Sequence, residues 1–303
     1  MKKGKKTMPA VSAAALCLAA AMCVGCGAES ASSGSADLQS AQESQDAASS
    51  ALQTQTLSVQ FLKVGKADAM VLFCDGEAMV IDTGEAGDGG KVLNALSAAG
   101  VSSVKALILT HFDKDHIGGA AELLEGISVQ RVFCPDYEEN SDEMQALQDA
   151  LQRTGVPVSV LTAEETVACG SAVLTLLPPG KSDRSDNDSS IVTLLTFGER
   201  KMLFAGDAME TRIAELLQDS RITSGGFDLL KVPHHGTLCG KSAELINAVQ
   251  PKLAVICCSK KNPPDDTLLS LLTAQGTQVF TTDSGTVTVE SNGINVPKVN
   301  TNN

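Results

Sequence analysis

The chain has 303 residues, 43% hydrophobic and 19% charged, with a formal net charge of −13, one tyrosine (Tyr137) and no tryptophan. That balance excludes wholesale disorder, and the acid excess excludes a broad nucleic-acid grip driven by counterion release. The shortage of aromatics excludes a base-stacking platform, so any nucleic acid would be handled at one local site.

The first segment reads as an address. Lys2, Lys3, Lys5 and Lys6 precede a small, apolar run at 8–24, and Val24-Gly25 stand before Cys26. A basic start, a short apolar stretch and small residues before a cut predict a signal peptide over residues 1–25. The run is too short and too Ala-rich for a comfortable membrane span. Without those four lysines the net charge deepens by four, to −17. Cys23-Val24-Gly25-Cys26 resembles a bacterial lipobox, departing from it at Cys23. The resemblance implies lipidation of Cys26 and an extracytoplasmic protein anchored by lipid to the bacterial cell membrane. An ordinary cleaved signal and an uncleaved anchor are the competing readings. Residues 26–55, rich in Ala, Ser and Gln, cannot bury enough surface to fold and read as a disordered tether. Roughly 240 residues remain, enough for one well-buried core.

From residue 56 strand-like runs alternate with amphipathic segments. Strands are expected at 57–64, 69–74 and 78–82, then a helix at 90–99 closed by Gly100. The continuous apolar run 104–110 predicts a buried strand. A helix follows at 118–125, a strand at 128–133 and a helix at 140–153. Strands are expected at 157–161, 172–177, 190–197 and 201–205, a helix at 208–218, a strand at 227–232, a helix at 241–249 and a strand at 252–257. A helix at 266–274 and strands at 277–281 and 285–290 complete a domain over 56–292, with 293–303 as a flexible tail. Strands clustered at both ends with helices between fit two helix-covered sheets better than one regular βαβ winding. The six cysteines of this region (Cys74, Cys134, Cys169, Cys239, Cys257 and Cys258) show no CxxC spacing, which disfavours a cysteine-held zinc. Several sit in apolar runs as small buried hydrophobes. An oxidising exterior permits disulfides but no pairing follows from the sequence.

Histidine is the most informative residue. All four lie in two short segments, His111 and His116 in LTHFDKDHIGG and His234 and His235 in LKVPHHGT, each directly after an apolar strand. The C-terminal ends of strands are where α/β folds gather their sites, and imidazole with carboxylate is the ligand set of catalytic zinc or manganese. His111, Asp113, Asp115 and His116 cannot share one face of a helix, so a tight turn leaving the strand must converge them. Gly118-Gly119 supply backbone freedom for close approach.

The segment His111-x-Asp113-x-Asp115-His116-x-Gly118-Gly119 resembles the signature of the metallo-β-lactamase superfamily, in the HxDxDHxGG form of the ComEC/Rec2 competence group, where the common form is HxHxDH. Further stretches follow the group's order. Val64-Gly65-Lys66-Ala67-Asp68-Ala69 is similar to VGQGDA, Ile81-Asp82-Thr83-Gly84 to IDTG, and Phe204-Ala205-Gly206-Asp207 to the segment ending in GD. Asn187-Asp188-Ser189-Ser190 occupies the place of the third metal-binding motif, residues 230–237 are similar to LKVxHHGS, and Thr282-Asp283-Ser284-Gly285-Thr286 to TDxxGT. Each piece alone also has a plainer reading: Asp82-Thr83-Gly84 as a turn, Gly206-Asp207 as a helix cap, Asp68 as a structural residue at a strand start.

The resemblance covers residues 56–291 and implies an α/β fold, a four-layer αββα sandwich with two divalent ions at one edge of its paired sheets. Carried over by motif, His111 and Asp113 would hold one ion. Asp115, His116 and His235 would hold the second, and Asp207 would bridge. Asp115 also joins the catalytic set with His234, read as a substrate or proton-transfer residue; the roles of His234 and His235 could be exchanged. Asn187 and Asp188 mark the third-motif position. The oxygen-rich first site shifts preference from zinc toward manganese or magnesium, with zinc in both sites left open. Lys260 and Lys261 read either as contacts to a substrate phosphate or as solvated surface.

The implied activity is a surface-anchored, dinuclear metal-dependent hydrolase, a phosphodiesterase or nuclease, in which two ions roughly 3.5–4 Å apart activate a bridging hydroxide for attack on phosphorus. The substrate is DNA or an envelope polymer, for instance choline phosphate on teichoic acid. A non-catalytic metal-binding lipoprotein in a DNA-uptake or envelope assembly is the third reading, with a separate membrane transport protein as partner. A departure falls on the substrate side: the group's YGHP-type histidine is replaced within Lys261-Asn262-Pro263-Pro264-Asp265, where Asp265 is either a partial substitute or the cap of the next helix.

Overall fold

A computed structural model describes residues 55–180 and 185–302, which belong to the unit Gln53–Asn303. The signal peptide, Cys26 and almost all of the tether lie outside the described residues. Among the described residues no helix is long and apolar enough to cross a membrane.

Two meanders start the two sheets. In the first, β1 (Leu57–Phe61) pairs antiparallel with β2 (Ala69–Cys74), and β2 with β3 (Glu77–Thr83). Parallel strands β5 (Ala106–Ile108), β7 (Val132–Pro135) and β8 (Val158–Leu161) extend it beyond β3. On its other side β16 (Thr286–Ser291) pairs antiparallel with β1, and β17 (Lys298–Asn302) antiparallel with β16. The second sheet runs β9 (Glu165–Cys169), β10 (Ala172–Leu177), β11 (Val192–Phe197) and β12 (Arg200–Phe204) antiparallel. It continues in parallel through β13 (Leu229–Lys231), β14 (Leu253–Ile256) and β15 (Gln278–Thr281). The short strands β4 (Ser103–Val104) and β6 (Ser128–Val129) form a ladder of their own. Each sheet therefore changes from antiparallel to parallel once, at β3/β5 and at β12/β13.

Alternation along the strands builds three apolar layers. Phe61, Met70, Leu72, Ile81 and Ile108 face Leu174, Leu195, Met202, Phe204 and Val255 between the sheets, where Phe61 and Phe204 stack at 6.1 Å. The opposite faces of the first sheet (Val71, Val80, Leu107) meet helices α1 (Gly89–Ala98), α3 (Ala120–Gly126) and α4 (Asp142–Thr154). Those of the second sheet (Leu203, Leu230, Ala254) meet α5 (Glu210–Leu216), α7 (Ser242–Val249) and α8 (Asp266–Ala274). Three cores make four layers, the expected αββα sandwich. Strands covered on both faces read as near-continuous hydrophobic runs rather than clean alternations.

Several elements differ from the expectation. The tail is not loose: Val299 packs on the inter-sheet core and residues 298–302 pair with β16. β9 went unpredicted because, at the sheet edge, it alternates polar and half-buried residues. The helix expected at 118–125 is α3, preceded by an unexpected one-turn helix, α2 (Lys114–Ile117), and a further one-turn helix, α6 (Ser220–Thr223), follows α5. Gly118 and Gly119 hold φ of −57° and −87°, so their role is not a left-handed turn. A Cβ on Gly119 would lie 2.4 Å from Thr83 O and 2.6 Å from Gly89 N, and one on Gly118 2.4 Å from Ala86 N. The pair lets α2 and α3 press onto the loop after β3. Gly119→Ala is expected to cost about 1–3 kcal/mol by overpacking, read as a lower urea midpoint at unchanged slope.

Candidate metal centre

Both switch points open toward the same edge, and the loops leaving β3, β5, β12 and β13 meet there. Ile191 N donates to Thr110 O (2.8 Å) and ties the two sheets at this edge. β5 delivers Thr110 and His111. The chain then turns at Asp113, in extended conformation (φ −62°, ψ 145°), into α2, which carries Asp115 and His116. The convergence expected of a tight turn is thus made by a loop plus one helical turn. The loop after β12 supplies Gly206 (φ +55°) and Asp207, and β13 leads into Pro233–Gly236.

His111 and His116 are fully buried and His235 nearly so. Each ring is tied through Nδ1. His116 Nδ1 donates to Asp82 Oδ2 at 2.8 Å, and His235 Nδ1 to Cys257 O at 3.1 Å. Thr110 Oγ1 gives its proton to Asp82 Oδ2 (2.7 Å), so at 3.1 Å it accepts from His111 Nδ1. All three Nε2 atoms are buried without a hydrogen-bond partner. Asp207 Oδ2 lies 3.3 Å from His116 Nε2 and 3.2 Å from His235 Nε2, and Asp115 Oδ2 lies 3.4 Å from His235 Nε2. The groups His111/His116/Asp207 and Asp115/His116/His235 each place their ligand atoms within 4.8 Å of one another. Buried imidazole nitrogens left open beside carboxylates, with the opposite nitrogen fixed, are the form a cation site takes. The residues present fit divalent ions.

The expected residues are placed as follows. His111, Asp115, His116, Asp207 and His235 come together. Asp113 sits at the rim, 38% exposed, with Oδ2 3.5 Å from His111 Nε2. Of the adjacent histidines, His235 faces the cluster. His234 stands beside it, half-buried, its Nδ1 2.9 Å from Met209 Sδ, and burial lowers its pKa. Asp188 is a correction: Oδ1 accepts from Met209 N (2.9 Å) and Arg212 N (3.0 Å), so it caps α5, the job Gly206-Asp207 had as its plainer reading. Asn187 Oδ1 is buried without a hydrogen bond. Lys260 and Lys261 are exposed on the turn Ser259–Asn262 and make no recorded hydrogen bond or ion pair with the cluster. Their loop touches the histidine turn through Pro264, which packs on Gly236, and Asp265 N, which donates to Gly236 O at 3.0 Å. Asp265 caps α8 through Thr267 N (2.7 Å).

Four neighbours carry more than their plain readings. Asp82, at φ +55°, accepts from Thr110 N, Thr110 Oγ1 and His116 Nδ1. Asp68 is fully buried, pairs with Lys231 and lies 3.5 Å from His235 Nδ1. Lys231 is a fully buried cation, and a lone lysine in LLKV was the signal for it. Tyr137 accepts from Phe112 N at 2.5 Å, pinning the loop between His111 and Asp113.

The family profile described as the metallo-beta-lactamase superfamily matches residues 62–260. The chain belongs to the metallo-β-lactamase superfamily. This metallo-β-lactamase domain is 31% identical over 197 residues to ComE operon protein 3 of Bacillus subtilis, a match covering 63% of this chain and 25% of that protein. It is 29% identical over 216 residues to Recombination protein 2 of Haemophilus influenzae, covering 69% and 25%. The chain thus spans about a quarter of the length of these relatives, and the likeness to the ComEC/Rec2 group read from the motifs holds. In fold it is similar to the metallo-β-lactamase fold protein YhfI of Bacillus subtilis, with a TM-score of 0.54 at 13% identity, covering 78% of this chain and all of that one.

The ion-free site has its own pH behaviour. Burial disfavours the imidazolium of His235, but Asp207, Asp115 and Asp68 outweigh it and raise the pKa to about 9; His116 is raised likewise, against its burial, by Asp207 and Asp82. Burial opposes ionisation of Asp115, yet His235 and His116 bring it down to about 2. A His raised from 6.5 to about 9 stabilises the fold fully below pH 6.5 and loses that contribution as pH climbs through 9. Protein treated with chelator is therefore expected to lose a few kcal/mol, on the order set by that shift, between pH 6.5 and 9, seen as a falling Tm. Metal binding displaces the Nε2 protons, so ion-loaded protein should show no such fall.

Proposed function

We propose that this chain is a dinuclear metal-dependent hydrolase of phosphodiesters, held outside the cytoplasm through a lipid on Cys26. The observation that carries the proposal is the set of three buried Nε2 atoms of His111, His116 and His235, none meeting a hydrogen bond, gathered with the carboxylate of Asp207. Two divalent ions bound there would supply Lewis acidity and an activated water at neutral pH. His111 with Asp113 and Asp115 with His116 and His235 would hold them, and Asp207 would face both. Manganese, zinc and magnesium all suit these N/O donors.

The chain's own residues supply the rest. Asp115 stays ionised across the physiological range, its pKa down at about 2, and so remains a carboxylate toward both His235 and an incoming ion. His234 is neutral at pH 7 because burial lowers its pKa. With its Nδ1 proton directed at Met209 Sδ, its Nε2 carries a lone pair and is left to accept a proton at the substrate, as from an attacking water. A net charge of −13 means that an anionic ester approaches this protein against repulsion except where bound cations reverse it. The names of the relatives, a ComE operon protein and a recombination protein, favour DNA as substrate. The acid excess and the absence of tryptophan favour a phosphodiester of the cell envelope as the second reading.

The deciding experiment measures metal per chain by mass spectrometry and hydrolysis of bis(p-nitrophenyl) phosphate with added Mn²⁺ or Zn²⁺. Two ions and turnover are expected, with turnover reduced at least 10³-fold, an order appropriate to loss of a ligand, in His116→Ala and Asp207→Ala. His234→Ala should keep both ions and lose kcat by roughly 10²-fold, the scale of general acid–base catalysis. Metal-loaded protein that cleaves neither this ester, DNA, RNA nor a wall polymer would overturn the hydrolase reading.

A further inference from the structure

The site contains a permanent cation. Lys231 ends β13 with no solvent exposure, and its Nζ meets three oxygens from two segments: Asp68 Oδ2 from one, and Gly206 O at 2.9 Å and Asp207 Oδ1 at 3.4 Å from the loop after β12. A fully buried ion pair is a poor stability device, because removing both charges from water offsets their attraction. Its position indicates another use. The carboxylate of Asp207 is divided: Oδ1 faces the ammonium, while Oδ2 faces the open Nε2 atoms of His116 and His235. Asp68, the ammonium's other partner, reaches back to the Nδ1 side of the same rings, 3.5 Å from His235 and 3.9 Å from His116.

Charge counting agrees with this geometry. Asp68, Asp82 and His116 form a third group with the spacing of a cation site, and the ammonium of Lys231 already sits against Asp68 within it. Around the whole centre stand the carboxylates of Asp68, Asp82, Asp113, Asp115 and Asp207, formally five negative charges against one from Lys231. The difference is the charge that two divalent ions neutralise.

We propose that Lys231, backed by Asp68, is a positioning residue that holds Asp207 by one oxygen so that the other is presented to both ions of the pair. The inference rests on the dinuclear reading above and assigns the bridge's geometry to an ammonium outside the ligand set. Without it Asp207 is free to rotate and to engage one ion with both oxygens, which weakens the second.

The test uses Mn²⁺ as sole probe on the full chain, with metal titration and electron paramagnetic resonance in place of activity. Wild-type protein should bind two ions and show the exchange-coupled spectrum of a bridged pair. The double variant Lys231→Met with Asp68→Asn removes both buried charges together and preserves volume. It should keep its circular dichroism spectrum, bind the second ion at least tenfold more weakly, and show uncoupled Mn²⁺. Asp68→Asn alone leaves the ammonium on Gly206 O and Asp207 and serves where the double variant does not fold; a smaller weakening of the second ion, at least threefold, is expected. Folded variants with wild-type affinity and coupling would overturn the clamp while leaving the hydrolase reading intact. Wild-type protein that takes one ion would instead overturn the dinuclear reading itself.

Discussion

Buried polar atoms are expensive unless something satisfies them, and here three imidazole nitrogens are kept dry, open and close together. The rest of the edge is arranged to maintain that condition. Thr110, Asp82 and the Cys257 carbonyl occupy the opposite nitrogens and fix each ring's orientation. The sheets contribute by changing direction at β3/β5 and β12/β13, which leaves crevices at one end of the sandwich where loops from both halves can meet. A cation resolves the cost that the protein alone leaves unresolved. That is why metal and fold are one question in this chain.

The same demand is written in the backbone. Asp82, His234 and His235 all take positive φ (55°, 47° and 53°), a region costing non-glycine residues of order 1–3 kcal/mol each. The surrounding bonds over-determine these conformations. Asp82 is held by three donors from two loops, and the Pro233–Gly236 turn is held by His234 N on Gly206 O (3.3 Å) and Asp265 N on Gly236 O (3.0 Å). Gly236, at φ +81°, admits Pro264 where a Cβ would approach to 2.5 Å. Strain of this kind is kept where side chains must point against their local preference: three of the five non-glycine residues with positive φ among the described residues stand at this edge, the others being Asp75 between β2 and β3 and Gln250 after α7.

Much of this was legible from residue order. Apolar runs ending in histidine and aspartate placed the site at strand ends, and the segment HxDxDHxGG carried the family by itself. What escaped were groups whose meaning depends on a partner far along the chain. Asp68 looks like a structural residue at a strand start and Asp82 like a turn residue until Lys231 and His116 are beside them, 163 and 34 positions away. Asp188 looked like a ligand because its motif position suggested one, but the amides of α5 reach its oxygen first. β17 was hidden by a polar sequence, in which Val299 alone is half-buried against the inter-sheet core. Local pattern reports backbone periodicity well; it cannot report which long-range pair satisfies a buried charge.

The substrate side obeys a looser logic than the metal side. Where the ComEC-like pattern places a histidine, this chain has a turn whose polar residues are already employed. Asp265 is spent on capping α8 and Ser259 on bonding Asn262. Lys260 and Lys261 point no fixed hydrogen bond inward. A solvated lysine adds little to binding at equilibrium, and on a chain of net charge −13 the adjacent Lys260 and Lys261 form a small exposed patch of opposite sign. Beside the loop that carries His111 and Asp113 Tyr137 is half-buried, and just past the histidine turn Leu238 is exposed. The candidate metal site is specified by buried, mutually locked groups, whereas the residues around it are exposed and loosely held, so the ligand cluster can be inherited with its family while its surroundings are free to differ.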